Sequence, residues 1–222
     1  MLELAKYEED YLKALFHLSV ERGTTAGTNE LADYLGVSPA SVNGMLKKLK
    51  AKSLVKHEKY AKPSLTRKGK QVAVNLIRKH RLWETFLYEK MNFTWDEVHD
   101  VAEQLEHIRS EKLVVELDKF LGFPRVDPHG DAIPDAKGNY TPVQKRTLAE
   151  MPVGTTCRLI GVKDGSVAFL KFVTKIGLEL SSSISVIEKQ EFDESLTIEF
   201  ADKQVNVSRK FAENVFVVVS RK

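Results

Sequence analysis

Two runs of the sequence set imidazoles and carboxylates at helical spacing. His80 and Glu84 stand at i and i+4, and His99, Glu103, Glu106 and His107 follow in a second run. On one helix from Thr94 to about Leu121, the last four would fall within an arc of about 100°, so their donors could converge from one side. Carboxylates gathered in this way repel by about 4 kcal/mol per pair at about 4 Å in an effective dielectric of 20. A divalent cation relieves that repulsion. Carboxylate and neutral imidazole without thiolate suit Mn2+, Fe2+ or Zn2+. The competing reading is a solvated charged helix with an ordinary His80/Glu84 helical pair. Two such clusters on neighbouring helices favour a metal.

The elements that would carry these residues follow a DNA-binding pattern. Leu4 to Glu21 bears a helical apolar stripe of Tyr7, Tyr11, Leu12, Leu15, Phe16 and Leu18. Thr28 can cap a second helix through Leu35, and Gly36 supplies the turn that ends it. Ser38 followed by Pro39 reads as the N-cap and first residue of a third helix running to about Ala51. Val42, Met45, Leu46 and Leu49 share its inner face, while Ala40, Asn43, Gly44, Lys47, Lys48 and Ala51 lie opposite. Small residues leading into lysines leave a helix free to approach base edges. Leu54 to Glu58 and Pro63 to Thr66 read as two short strands around a basic turn, followed by Thr66-Arg67-Lys68-Gly69 opening a helix that continues to Lys90. The formal net charge of the 222 residues is only +3, but from Asn43 to Lys70 ten Lys and Arg face the single acid Glu58, a local charge of +9. Such a patch attracts phosphate by counterion release. Together these features predict a winged helix-turn-helix, against the plainer alternative of a small helical domain with a basic surface.

The remainder changes in style. The runs CRLIGV, SISVIE, LTIEF, KQVNVS and FVVVS after Met151 suggest a small β-barrel, with an amphipathic helix over 167–176 ending at Gly177. Gly122 to Thr147, rich in Pro, Gly and Asp, reads as a loop and linker in which His129 is unpaired. Trp83 and Tyr140 read as packing residues. With 42% hydrophobic and 29% charged residues the chain is globular. No stretch approaches the roughly 18 apolar residues of a membrane span, and the N-terminus lacks a signal-peptide pattern. Cys157, the single cysteine, can form neither an internal disulfide nor a thiolate metal site. A cytoplasmic location is expected.

The motifs EDYLKALF, VSPASVNGMLKKL, LTRKGKQVA, RKHRLWETFL, VHDVAEQLEHIRSE and DPHGDAIP together resemble the diphtheria toxin repressor and manganese transport regulator family, over nearly the whole chain. The resemblance implies a mainly α chain in three parts. These are a winged helix-turn-helix domain at 1–68, a helical metal-binding and dimerisation domain with linker at 69–148, and an SH3-like β-barrel at 149–222. It implies a metal-dependent transcriptional repressor that binds palindromic operator DNA as a homodimer when loaded with Mn2+ or Fe2+, two ions per subunit. Carried over residue by residue, Asp10, Glu103, Glu106 and His107 match a primary metal site, and His80, Glu84 and His99 an ancillary one. The acids at Asp10 and Glu103 are of the manganese type. Lys13 stands where one manganese-regulator branch has a glutamate that helps to hold a second ion. Pro39 and Asn43 match positions that approach bases, Ala40 and Gly44 permit close approach beside Ser38, and Lys47, Lys48 and the wing residues Lys59 and Tyr60 are assigned to phosphate. No nucleophile motif marks an enzyme, and no membrane or small-molecule substrate is implied. A constitutive DNA-binding protein with a structural metal, and a metal-dependent hydrolase, are the competing classes.

Overall fold

The apolar stripe of the first helix determines how it packs. In the computed structural model, which describes residues 4–21, 23, 26–58, 61–141, 145–163 and 166–219, α1 spans Lys6–Phe16 and buries Tyr11, Leu12, Leu15 and Phe16. It is shorter than its stripe suggests, because a π-helical turn, His17–Glu21, replaces the last expected turn. Helix α2 (Thr28–Leu35) starts after Gly27 and ends at Gly36, whose φ of +64° is left-handed and suits a residue without a Cβ. Thr28 is therefore the first helical residue rather than the cap. Helix α3 (Pro39–Ala51) begins as its sequence predicts, with Ser38 Oγ accepting the Ser41 N–H at 3.1 Å. Such a cap is worth about 1 kcal/mol. Strands β1 (Val55–Lys56) and β2 (Ser64–Leu65) pair antiparallel, a wing shorter than expected. Helix α4 (Arg67–Lys90) opens at Thr66-Arg67-Lys68-Gly69 as the sequence suggests, with Thr66 Oγ1 accepting the Gly69 N–H at 3.0 Å.

The single helix expected over 94–121 is instead two, α5 (Val98–Leu105) and α6 (Glu111–Phe120). Ser110 Oγ caps the second through the Leu113 N–H at 3.2 Å. Glu106 and His107 thus leave the helix for the turn, and a common arc with His99 and Glu103 does not form.

The chain divides into two compact units, each built from several segments. The first comprises Met1–His80, Glu103–Glu116 and Ile133–Thr141. Its core joins Leu12, Leu15 and Phe16 of α1 to Leu31, Val42, Leu46, Leu49, Leu54, Val74 and Ile77. Part of the expected linker belongs to it. Tyr140 packs edge-on against Phe16 with ring centroids 5.4 Å apart, and Arg78 donates to Pro134 O at 2.8 Å.

The second unit comprises Arg81–Ala102, Leu117–Ala132 and Pro142–Lys222. Its sheet contains β3 (Arg146–Thr147), β4 (Thr156–Val162), β5 (Ser183–Lys189), β6 (Leu196–Phe200), β7 (Lys203–Val207) and β8 (Val215–Val219). The order is β3-β8-β4-β5-β6-β7, with antiparallel pairings throughout. One strand more is present than the five apolar runs suggest. Alternation along β6 buries Leu196, Ile198 and Phe200, which pack with α7 (Val167–Lys175) and the short α8 (Arg209–Glu213) around Leu170, Val173 and Phe211. Cys157 is buried in this core, and burial pushes its thiol pKa up to about 11. Among the described residues no helix is long and apolar enough to cross a membrane.

Candidate metal centre and nucleic-acid face

In the first unit, α1 presents Asp10 and Lys13, α4 presents His80, and α5 with the following turn presents Glu103, Glu106 and His107. His107 Nε2 lies 3.2 Å from Asp10 Oδ1 and 3.6 Å from Glu106 Oε1. Its other ring nitrogen, Nδ1, lies 2.6 Å from Glu9 Oε2, the kind of outer carboxylate contact that orients an imidazole ligand. Asp10 Oδ1 and His107 Nε2 are buried and make no hydrogen bond. Buried polar atoms seldom go without one, so this pair, with Glu106 alongside, fits a cation. Burial raises the Asp10 carboxyl above its ordinary pKa, Glu103 and Glu106 add to the shift, and His107 opposes it.

Glu106 is wholly buried. It accepts from Lys13 Nζ at 2.8 and 3.0 Å, and His80 Nδ1 lies 2.5 Å away. Glu103 turns the same way, 2.6 Å from Lys13 Nζ. Burial lowers the Lys13 pKa, but Glu106 and Glu103 more than offset it, leaving it raised. Two triads therefore share Glu106: Asp10, Glu106 and His107, and His80, Glu103 and Glu106, each with donor atoms within 4.8 Å of one another. The four residues matched to a primary site are thus brought together as three, with Glu103 held by Lys13. Lys79 supports the turn from α4, donating to Glu106 O at 2.8 Å. Sequence reasoning missed Glu9 and the central place of Lys13. The only signal was their position on α1, next to Asp10 and one turn after it.

The second unit holds Glu84 and His99, with His99 Nδ1 3.4 Å from Glu84 Oε1. His80 precedes Glu84 by one turn of α4. The reading of His129 as unpaired is wrong. Its Nδ1 lies 3.6 Å from Glu84 Oε2, its Nε2 is 2.8 Å from Trp95 O, and its N–H donates to Asp127 Oδ1 at 2.8 Å. Glu84, Asp127 and His129 bring donor atoms within 4.8 Å of one another. Burial, with Asp131 and Glu84 nearby, raises the Asp127 pKa to about 7 against the pull of Arg81. Burial lowers His129, but Glu84 overrides it and the imidazole is raised to about 9. The Asp-Pro-His spacing in DPHGDAIP was the available signal.

The exposure of α3, the candidate nucleic-acid face, follows the sequence pattern in part. Ser38, Pro39, Ala40, Asn43, Gly44, Lys47 and Lys48 are all exposed on α3, while Val42, Leu46 and Leu49 are buried. Met45 is only half-buried. A groove of about 720 Å³ runs between α3 and the wing, lined by Asn43, Lys47, Lys50, His57 and Lys62 among others. Lys50 ties the two sides, donating to His57 O at 2.8 Å and Glu58 Oε1 at 3.1 Å. Lys59 and Tyr60 lie outside the described residues.

Fold and site define a winged-helix DNA-binding protein with buried carboxylate and imidazole clusters suited to divalent cations. The sequence matches the family models described as iron dependent repressor, N-terminal DNA binding domain, over residues 3–62, and iron dependent repressor, metal binding and dimerisation domain, over 66–135. Residues 146–219 match a FeoA domain. A solved manganese-dependent transcriptional repressor in complex with manganese is 33% identical, with a TM-score of 0.80 over 96% of this chain and 100% of that one. The structure of the manganese regulator SloR is 35% identical, with a TM-score of 0.68 over 96% of this chain and 98% of that one. The iron-dependent repressor IdeR of Mycobacterium tuberculosis is 33% identical over 134 residues, 60% of this chain and 58% of that protein. The chain belongs to the iron-dependent repressor family. It spans 58% of the length of the IdeR relatives it matches.

Proposed function

We propose that the chain is a transcriptional repressor that binds palindromic operator DNA as a homodimer when loaded with Mn2+ or Fe2+, and so controls genes of metal-ion homeostasis. The observation that carries this reading is the pair of buried, unbonded atoms Asp10 Oδ1 and His107 Nε2 beside Glu106, in the same unit as the recognition helix. Asp10, Glu106 and His107, with Glu103 within reach of the shared Glu106, would hold the ion. The oxygen-rich set favours Mn2+ or Fe2+ over softer metals, and one solved relative is described with manganese. When bound, the ion supplies a charge that draws α1 toward the turn after α5. Helix α1 bears Asp10 on one side and Leu12, Leu15 and Phe16 on the other, in one core with Val42, Leu46 and Leu49 of α3. A preference of α1 for one position is thereby felt at the DNA-reading helix. Differential affinity of this kind commonly contributes about 1–3 kcal/mol, and by reciprocity DNA tightens metal.

A second ion per subunit would sit at Glu84, with either His80 and His99 or Asp127 and His129. The exposed Leu113 and Val115 of α6 lie in the segment matched to dimerisation and suit a partner subunit. Three domains (1–68, 69–148 and 149–222), a cytoplasmic location, and no enzymatic activity or small-molecule substrate complete the proposal.

Operator sites selected from random DNA in the presence of Mn2+ provide the test. Chelator should abolish binding. Binding that survives chelation would indicate a constitutive DNA-binding protein with a structural metal, and a failure to enrich any site would favour a hydrolase. On the same sites Asn43→Ala should cost about 1–3 kcal/mol and relax selectivity at one base pair, since Asn can pair bidentately with adenine. Lys47→Ala should instead weaken all sequences alike and reduce the salt slope by about one. Competition binding over a salt series distinguishes the two effects.

A further inference from the structure

Helix α1 faces two ways. Glu8 and Asp10 are two residues apart, about 200° around the helix, so their side chains leave it on nearly opposite sides. Asp10 belongs to the buried cluster with Glu106 and His107. Glu8, followed by Tyr11, Leu12 and Leu15 at i+3, i+4 and i+7, heads the face that enters the core with Val42, Leu46 and Leu49 of α3. That face therefore begins with a carboxylate, and it is only 7% exposed. Its Oε2 accepts the Ala5 N–H at 2.9 Å, and Lys52 Nζ lies 2.8 Å from Oε2 and 2.6 Å from Oε1. Lys52 closes α3, its own N–H donating to Lys48 O at 3.1 Å. The ion pair thus joins the first turn of α1 to the C-terminal end of the DNA-reading helix. We infer that Glu8 and Lys52 form a positioning strut that carries a movement of α1 into the orientation of α3, and so couples metal binding at Asp10 to operator binding. The inference rests on the repressor reading and specifies how its two sites communicate.

An ion pair suits this role better than the apolar contacts beside it. Burial of Leu12 and Leu15 is non-directional, so it holds α1 against α3 but tolerates a small rotation or slide. A carboxylate that caps its own helix and is gripped on both oxygens by one ammonium tolerates neither, because either would leave a buried charge unpaired. The ammonium is in turn held at the negative end of the α3 dipole. As a source of stability the pair is replaceable, since a buried ion pair exchanged for apolar side chains of similar volume often leaves a protein as stable or more so. What apolar side chains would not supply is a fixed register between the two helices.

The full-length protein can be compared with Glu8→Gln, Lys52→Met, the double variant Glu8→Met/Lys52→Met and Lys52→Arg. Operator affinity is measured at saturating Mn2+ and in chelator, alongside Mn2+ titration without DNA and thermal melting. The factor by which Mn2+ tightens operator binding, commonly about 5–150 for coupled sites, should fall by on the order of tenfold or to none in the first three variants. Taking this ratio cancels the general loss of DNA affinity that removing a lysine brings. Mn2+ titration of the DNA-free variants should match the parent, because Asp10, Glu106 and His107 are untouched. The double variant should melt close to the parent, which separates coupling from stability, and Lys52→Arg, which keeps the charge, should keep the parent's factor. The full Mn2+ enhancement in Glu8→Gln and in the double variant overturns the inference, whatever their melting temperatures. So does an equal loss in Lys52→Arg and Lys52→Met. A parent protein whose operator affinity ignores Mn2+ overturns the repressor reading and the strut with it, whereas an enhancement that persists through parent and variants alike rejects the strut alone.

Discussion

Replacing Asp10 by alanine is expected to raise the free Mn2+ needed for half-maximal operator binding by at least about 100-fold, because loss of an outer-shell partner alone costs about 10–100-fold and Asp10 would touch the ion directly. The change should leave the fold intact. The apolar residues of α1 that enter the core, Leu12, Leu15 and Phe16, are untouched. Burial already disfavours the charged Asp10 side chain, as its raised pKa indicates, so its removal should not lower the melting temperature of the metal-free protein. A large effect on metal-dependent binding with little on metal-free stability is the pattern of a ligand rather than of a structural acid. Isothermal titration with Mn2+, paired with operator binding at fixed free metal, measures both. Normal operator binding by the variant at limiting manganese would show that the primary site lies elsewhere.

Much of the DNA-binding half was legible because its signals are local. Ser38-Pro39 starts a helix, Gly36 ends one, and the apolar spacing of Val42, Leu46 and Leu49 fixes which face of α3 is free. The strands of the sheet were visible for the same reason, as alternating runs bounded by turns. The break between α5 and α6 was not. Leu105, Ile108 and Leu113 continue an apolar rhythm through it, no Gly or Pro interrupts the stretch, and the Ser110 cap is a weak signal by itself. The residues read as metal ligands were therefore expected on one helix, whereas His99 and Glu103 lie on α5 and Glu106 and His107 in the turn after it. Lys13 and His129 show a different limit. Their partners lie tens of residues away, Glu103 and Glu106 for Lys13 and Glu84 for His129, and only the tertiary fold turns a surface lysine or a loop histidine into part of a buried cluster.

The placement of His129 depends on two glycines that a sequence reading gives no reason to single out, and this yields the other large expected effect. Gly161 in β4 sits at a shift of register against β8, and a Cβ there would overlap the His129 carbonyl. Gly130, with φ +76°, meets the Ile160 carbonyl in the same manner from the loop side. Backbone thus passes against backbone, and no side-chain rotation can relieve a clash. Gly161→Ala must displace the loop that carries Asp127 and His129, which is otherwise fixed by Arg81 to Asp127 at 3.3 Å and to Ala132 O at 2.6 Å. Overpacking of this kind costs about 1–3 kcal/mol, which for a chain of this size lowers the melting temperature by roughly 2–4 °C per kcal/mol. The metal count discriminates between the two ways in which Glu84 could hold an ion. If Asp127 and His129 are its partners, the variant should lose one Mn2+ per chain while chelator-sensitive operator binding through Asp10 persists. If His80 and His99 are the partners, the count should stay the same and only the melting temperature should fall. A variant that melts like the parent would mean that strand and loop can separate freely, and that the close approach at Gly161 does not hold the cluster in place.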